Sequence, residues 1–593
     1  VMFIFEVLMK NYQEKVSVFF YSLAILYKTM PVYFFIFLFL ILIQAVLPTI
    51  GVVLSIDIIN KISDGFFDDL YIMVSFWMLS LILPGIITPF VTTIQTMMNQ
   101  RASYAIQVRI MTLTANITDL KIMEQPEVHN TFDVLSKEAS YKPLSFLISL
   151  IDCLKGSITL ISLSIVLASL SWWLPFALLL PIIPVTLSLT KAQIDVFETM
   201  LGKGLTSRLI IYYLSVMLNI HLIKEIKMYG LSAFFMGKHE KEFKNLEKEL
   251  NHVRKKQLYI PQLWNAVYLA VSILSMYWIV SNIIKGEISL GGMVGIIQSI
   301  SLFCASCQWL VFSFSNLGVS QLFFYRLKEI ENLASNQEHK YVLSAMPEDR
   351  TIKFENVSFS YNDTDKTLSN INLTLYPNDN IAIVGENGSG KSTLIKLLCR
   401  LYKPTEGVIT MGGVDISTID INVWYKEFSV LFQDFGKYNL SISENVTIGN
   451  SEQSNNKARF IKACEDAGFE LNCYPSANHM LGREFYGNDL SGGQWQRLSL
   501  ARSFFSGGSV IIFDEPTSAI DPKAEAYLFD TFYELSKGQT SIMITHRLGG
   551  LKHVNRIIVL ASGELVEDGS PEELLKKEGY YSYLYNTQKK QYY

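Results

Sequence analysis

Long apolar stretches crowd the first half of the chain and disappear from the second. Runs of the roughly 20 apolar residues needed to cross a hydrocarbon core extend from Pro31 to near Ile59, Tyr71 to near Met98, Leu144 to Leu170, Leu174 to Leu189, Tyr259 to Ile283 and Leu290 to Leu317. They predict about six membrane-spanning helices. Ahead of them, Tyr12 to Met30 mixes Lys15 and Lys28 with Val16, Phe19, Phe20, Leu23 and Leu26, the pattern of an elbow helix lying along a membrane surface. From Thr351 the pattern changes to short apolar strands alternating with helices and Gly-rich turns, as a doubly wound parallel sheet requires. The expected architecture is multi-domain: an all-α six-helix transmembrane domain over residues 1–330, a linker over 331–350 and an α/β domain over 351–593.

Charge orients the bundle. The first inter-span loop carries Asp64, Asp68 and Asp69 against Lys61, whereas the next connection holds Arg101, Arg109, Lys121, Lys137 and Lys142. Basic loops stay in the cytoplasm. The uncharged turn Ser171, Trp172, Trp173 suits the outer interface, and the following connection is again basic, with Lys224, Lys227, Lys238, Lys241, Lys244, Arg254, Lys255 and Lys256. Both termini are therefore expected in the cytosol. Each long cytoplasmic connection contains an amphipathic segment, Pro126 to Ala139 in the first and about Leu222 to Phe235 in the second. They read as ordinary solvated helices or as elements that dock on the soluble domain and carry its motion to the spans. Within spans, Pro48, Pro84, Pro181 and Pro184 predict bends, and Asp152 with Lys155 one turn on is read first as a pair along the helix.

Composition agrees with a lipid-facing surface: 50 % hydrophobic and only 18 % charged residues, with a mean hydropathy of +0.26. A net charge of -4 without a basic stripe gives no support for a nucleic-acid partner, and none is expected. Cys153, Cys304, Cys307, Cys399, Cys464 and Cys473 lack zinc or secreted-framework spacing and are read as small buried hydrophobes, although Cys304 and Cys307 stand one turn apart. No removable signal peptide is expected at the start.

The chemistry lies in the soluble half. The apolar strand Ile381 to Val384 leads into Gly385, Glu386, Asn387, Gly388, Ser389, Gly390, Lys391, Ser392 and Thr393, and then into a helix with Leu394, Leu397, Leu398 and Leu401 on one face. Glycines let successive N–H groups turn inward around phosphates, and the helix N-terminus adds its positive dipole end. Lys391 reaches the β/γ oxygens and Ser392 faces Mg²⁺. This is a P-loop for ATP. A second strand, Val510 to Phe513, ends in Asp514 and Glu515, the first suited to the Mg²⁺ shell and the second to polarising the attacking water. A third, Ile542 to Thr545, delivers His546 to the same edge, within reach of the γ-phosphate.

Leu490, Ser491, Gly492, Gly493, Gln494, lying between the phosphate loop and the second carboxylate strand, matches the signature of the ATP-binding cassette (ABC) family. The resemblance covers nearly all of the soluble half. It implies that Tyr361 stacks on adenine, that Gln433 links Mg²⁺ and water to the membrane domain, and that Asp521 is the D-loop acid. It also implies that the signature of one subunit closes on ATP held by another. One such domain per chain then requires a partner; competent residues at every catalytic position favour a homodimer and leave a heterodimer with a degenerate sister open. Six spans followed by one nucleotide-binding domain resembles exporter half-transporters that work by alternating access.

Three local features are similar to exporters of lantibiotics and related bacterial peptides: Leu481 to Gly487 in place of a Val-Gly-Glu pattern, Trp495 after Gln494 where arginine is usual, and Lys224 to Gly230. Ser518, Ala519, Ile520 stands where leucine is commoner before Asp521, a conservative change. The expected activity is ATP-driven export of a modified antimicrobial peptide across the bacterial plasma membrane. A lipid or lipid-linked flippase, a multidrug exporter and an ATP-gated channel or regulator are the alternatives. With no Cys and His pair ahead of the spans, no removal of a leader peptide by this chain is expected.

Overall fold

The computed structural model describes residues 12–592 apart from 181–182, 186, 189–190, 192–203, 221, 286–288, 336–342, 363–364, 516–521, 546–550 and 552–553. The chain forms two compact units, one of residues 1–116 with 126–334, the other of residues 117–125 with 335–593.

The first unit is helical. Its elements are α1 (Tyr12–Thr29), α2 (Pro31–Ser63) and α3 (Leu70–Asn116); the short α4 (Leu120–Met123) then interrupts it and belongs to the second unit. It resumes with α5 (Pro126–Glu138), α6 (Lys142–Leu170), α7 (Leu174–Leu179), α8 (Gly204–Leu218), α9 (Ile223–Met228), α10 (Ser232–Ile284) and α11 (Leu290–Ser335). Among the described residues five helices are long and apolar enough to cross a membrane: α2, α3, α6, the Gln262–Asn282 part of α10, and α11. The expected fourth span, Leu174 to Leu189, begins as α7, and several of its later residues, Pro181 included, lie outside the described ones.

Three helices outrun the apolar stretches that announce them. α3 has 47 residues, α10 has 53 and α11 has 46. Hydropathy marks the lipid boundary, whereas a helix continues wherever propensity and local pairs support it. The part of α10 ahead of its apolar stretch is rich in Lys, Glu and Leu and carries an i,i+4 ion pair, Glu240–Lys244, at 2.5 Å.

Small and polar residues pack the spans. The Gly291 amide donates to Asn60 Oδ1 at 3.0 Å, Ser55 Oγ donates to Gln298 Oε1 at 2.8 Å, and Gln44 Nε2 donates to Thr88 Oγ1 at 3.1 Å. A Cβ at Gly295 would collide with Ile56, so glycine sets how closely α11 approaches α2. On α1, Val18, Ser22, Leu26 and the following Met30 form a buried stripe at four-residue spacing, while Phe20 and Tyr27 face outward. Cys304 and Cys307 form no disulfide, nor do the other four cysteines.

In the second unit, a four-stranded antiparallel sheet runs in the order β2-β1-β4-β5 (Leu368–Leu375, Ile352–Phe359, Glu406–Met411, Val414–Asp415). A six-stranded sheet runs β10-β9-β3-β8-β7-β6, comprising Glu564–Gly569, Arg556–Ala561, Asn380–Val384, Thr540–Ile544, Val510–Asp514 and Phe428–Leu431. Its strands are parallel from β9 to β6, with β10 antiparallel at the edge. β3, β8 and β7 are buried along their length except for half-buried Asn380, as strands covered on both faces must be. In register, Ile383 lies beside Ile544 and Ile544 beside Asp514. The phosphate loop and both carboxylates therefore leave the same edge of the sheet.

The residues 117–125 are a finding the amphipathic pattern did not anticipate. The amphipathic segment at Pro126 to Ala139, read as a solvated helix or a docking element, is α5, which packs with α3 in the first unit, whereas residues 117–125 just ahead of it are seated on the second unit. Asp119 caps α4 by accepting from the Lys121 amide at 3.0 Å, and the Leu120 amide donates to the Leu401 carbonyl at 2.9 Å. A four-residue helix is too short to show amphipathic periodicity, so the hydrophobic pattern points to its longer neighbour.

Candidate functional site

The loop after β3 is shaped by close approach. A Cβ on Gly385 would collide with the Leu560 carbonyl oxygen of β9. Gly390, at φ 100°, would bring a Cβ within 2.5 Å of Leu368 Cδ2. Only glycine suits both positions. Gly390 is also the N-cap of α12 (Lys391–Leu398), and no side chain caps that end. Its first amides are thus available to an anion. Gly388 and the exposed Asn387 form the turn, and Ser389 is buried with its hydroxyl unpartnered.

Lys391 is 6 % exposed, and its ammonium donates to the carbonyl oxygens of Gly385 at 3.1 Å and Glu386 at 2.8 Å. Burial lowers its affinity for a proton, and the charges of Glu515 and Asp514 oppose that shift. Asp514 is 4 % exposed; burial pushes its carboxyl above the usual range, aided by Glu515 and opposed by a hydrogen bond from Ser392 and the charges of Lys391 and Lys396. Its Oδ1 is buried without a hydrogen-bond partner. An orphaned buried carboxylate oxygen beside a serine hydroxyl is the donor set that a hard divalent cation takes up, so these residues fit Mg²⁺.

Glu515 stands at φ 50°, a left-handed conformation that costs energy for a non-glycine residue and is held by its amide donating to the Ile544 carbonyl at 3.0 Å. Gln433 Nε2 donates to Glu515 Oε2 at 2.9 Å. That contact leaves the Gln433 carbonyl oxygen free to face a cation. Thr393 follows on α12, and its hydroxyl lies 3.2 Å from the Tyr361 hydroxyl. His546 and Asp521, with Ser518, Ala519 and Ile520, lie outside the described residues.

Ser491, Gly492, Gly493 and Gln494 open α13 (Gly492–Ser506) as a reciprocal capping box. The Gln494 amide donates to Ser491 Oγ at 3.3 Å and the Ser491 amide to Gln494 Oε1 at 2.9 Å. Ser491 and Gly492 are exposed, and the structure does not bring them into hydrogen-bonding contact with Lys391, Ser392 or Thr393. Trp495, by contrast, is buried in the cluster that includes Leu431, Phe460, Leu490 and Phe513.

Over 80 % of its length the chain is 34 % identical to the subtilin transport ATP-binding protein SpaT of Bacillus subtilis, matching 78 % of that protein. The chain belongs to the ABC transporter family. The nisin transport ATP-binding protein NisT of Lactococcus lactis is 29 % identical over 96 % of this chain and 97 % of its own. Residues 368–518 match the family model described as ABC transporter. A bacterial Atm1-family ABC exporter solved with ATP bound shares the fold, with a TM-score of 0.80 at 19 % identity over 95 % of this chain and 99 % of the other. This ABC transporter is a membrane protein that binds ATP and couples its hydrolysis to transport.

One contact of the transporter has no sequence signal. The Tyr402 hydroxyl donates to Glu124 Oε1 at 2.6 Å, and the Tyr402 ring stands edge-on to Tyr361, centroids 5.3 Å apart. Lys396 Nζ lies over both rings at 5.8 and 5.7 Å. The candidate adenine-stacking residue is thus one ring away from the 117–125 segment. Asp119 as a cap is the sole local cue; the Glu124–Tyr402 pair is separated by 278 residues.

Proposed function

We propose that two copies of this transporter pair head to tail and export a modified antimicrobial peptide across the bacterial plasma membrane, with the termini and the nucleotide-binding domain cytosolic. In this reading residues 1–330 are the membrane domain, 331–350 the linker and 351–593 the nucleotide-binding domain. The likeness to proteins named for subtilin and nisin transport supports the cargo, because it extends through the membrane half, where a substrate path must lie. Two exposed features support the pairing. Ser491 and Gly492 present an exposed helix N-terminus, and Met228 and Tyr229, at the end of α9, are 84 % and 73 % exposed. Apolar side chains so exposed at a cytoplasmic turn are surface for another chain to cover.

The roles follow from chemistry. The amides of 388–393 and Lys391 hold the phosphates, Tyr361 stacks on adenine, and Ser392, Asp514 and Gln433 would hold Mg²⁺, which when bound neutralises phosphate charge. Glu515 takes up the proton of the attacking water, its carboxylate aimed by the Gln433 amide. His546 contacts the γ-phosphate and Asp521 serves the opposing loop. The partner's signature closes the site, Ser491 donating through the hydroxyl hydrogen that its capping role leaves free. Closure opens the bundle outward, and hydrolysis resets it.

Two experiments test this. Inside-out vesicles supplied with ATP should accumulate a modified peptide; uptake of drugs or lipids without peptides overturns the cargo. Mixed dimers test the pairing. With Lys391→Ala in one chain and Ser491→Arg in the other, one composite site stays intact and about half of the ATPase rate survives. With both substitutions in one chain beside a wild-type copy, both sites are damaged and turnover collapses. The reverse pattern would mean that each chain uses its own signature.

A further inference from the structure

Between α1 and α3 lies a cavity of about 640 Å³ lined by Lys28 and Thr29 on one side and by Gln100, Arg101, Tyr104 and Arg109 on the other. Its volume is within the roughly 300–1,000 Å³ of small-ligand sites, and no carboxylate lines it. Arg109 is spoken for: it pairs with Glu331 of α11, which also accepts from the Tyr21 hydroxyl at 2.5 Å. Together with Lys328 Nζ, which donates to Ser17 Oγ at 2.7 Å, these contacts pin α1 to α11 and fix one wall. Lys28 and Arg101 are exposed and have no acidic partner among the described residues.

Their positions along the chain coincide with the membrane border. Lys28 precedes the first residue of α2 by three residues, and Arg101 follows Met98, where the apolar run of α3 ends, by three. Three helical residues span about 4.5 Å, so both cations fall in the headgroup layer flanking the hydrocarbon core. Beside them Tyr27, Val32 and Phe35 are exposed large apolar side chains, which suit acyl chains and not water.

We propose that this cavity is a binding site for the headgroup of an anionic phospholipid of the cytoplasmic leaflet. Lys28 and Arg101 take the phosphate, and Thr29, Gln100 and Tyr104 offer hydroxyl and amide groups to the rest of the headgroup. The lipid holds the elbow helix against α3. The site is independent of the transported cargo, so it stands or falls separately from peptide export.

The test uses the full-length chain in phosphatidylcholine nanodiscs doped with phosphatidylglycerol, with retained lipid read by native mass spectrometry. Wild type should retain phosphatidylglycerol selectively. Each cation near an anionic headgroup is worth about fivefold, so Lys28→Gln with Arg101→Gln should lose roughly 25-fold in selectivity, and Lys28→Arg with Arg101→Lys should keep it. Unchanged ATPase and melting temperature show that the variants fold; should the double variant fail that control, Arg101→Gln alone must lose about fivefold. Equal retention of the two lipids by wild type, or undiminished selectivity in the neutral variants, overturns the proposal. Displacement of the lipid by equimolar inorganic phosphate also overturns it, by assigning the cavity to a free anion.

Discussion

The two helix N-termini to which we assign the phosphate chemistry are finished in opposite ways. α12 begins at Gly390 without a side-chain cap, wrapped by β3, β9 and the buried Lys391, so its first amides are offered to a ligand and the walls around them come from the same chain. α13 begins at Ser491 with a complete capping box and stands exposed. An uncapped end inside a fold is costly unless an anion completes it, whereas a capped end is stable alone and keeps only surplus donors for a visitor. In the proposed function the first holds nucleotide and the second closes upon it.

The largest expected effect separates holding from turning over. Glu515→Gln keeps the contact with Gln433 in shape but removes the charge that takes a proton. ATPase turnover should fall about 10³-fold, with ATP affinity and nucleotide-induced pairing within a few-fold of wild type. Steady-state hydrolysis beside gel filtration with ATP reads both, and a wild-type rate would remove Glu515 from its role.

A smaller effect isolates the signature. Ser491→Ala should lower turnover roughly tenfold, the worth of one hydrogen bond to a charged group, and leave ATP binding to the isolated chain unchanged. Ser491→Asp retains a cap yet sets a carboxylate against phosphate, and it should fare worse. If either variant weakened ATP binding to a single chain, Ser491 would belong to the same half as Lys391, and the contrast would fail.

The smallest effect asks whether the nucleotide half alone is tied to the 117–125 segment. Tyr402→Phe removes the 2.6 Å bond to Glu124 but keeps the ring beside Tyr361. Loss of one such bond should lower the melting temperature by about 2–4 °C and reduce substrate stimulation of the ATPase about threefold, with basal hydrolysis near wild type. An equal fall in basal and stimulated rates would make the contact a support of the site and not a link.

Much of this was legible along the chain. Gly385 to Ser392, the apolar strands ending at Val384 and Asp514, and Leu490 to Gln494 are each contiguous, and each needs its residue types at fixed spacing for local reasons. Glycines allow a loop to approach β9, and a serine three residues ahead of a glutamine closes a helix end. The lengths of α3, α10 and α11 were not legible, because hydropathy falls at the lipid boundary while the helix continues. Nor was the seat of 117–125 on the nucleotide-binding fold, since its contacts to Leu401 and Tyr402 are made across about 280 positions.

The sequence by itself determined the elements and their chemistry: apolar length makes spans, and the loop and signature spell an ATP-driven machine. Only the tertiary structure decided who stands beside whom. It set β8 between β3 and β7, so that Lys391 and Asp514 reach one edge, and bent Glu515 into a strained backbone beside Gln433. It left Ser491 facing outward and gathered Lys28 and Arg101 around one cavity. Local free energies select the pieces, but neighbours far apart in sequence are chosen by burial shared among all of them at once.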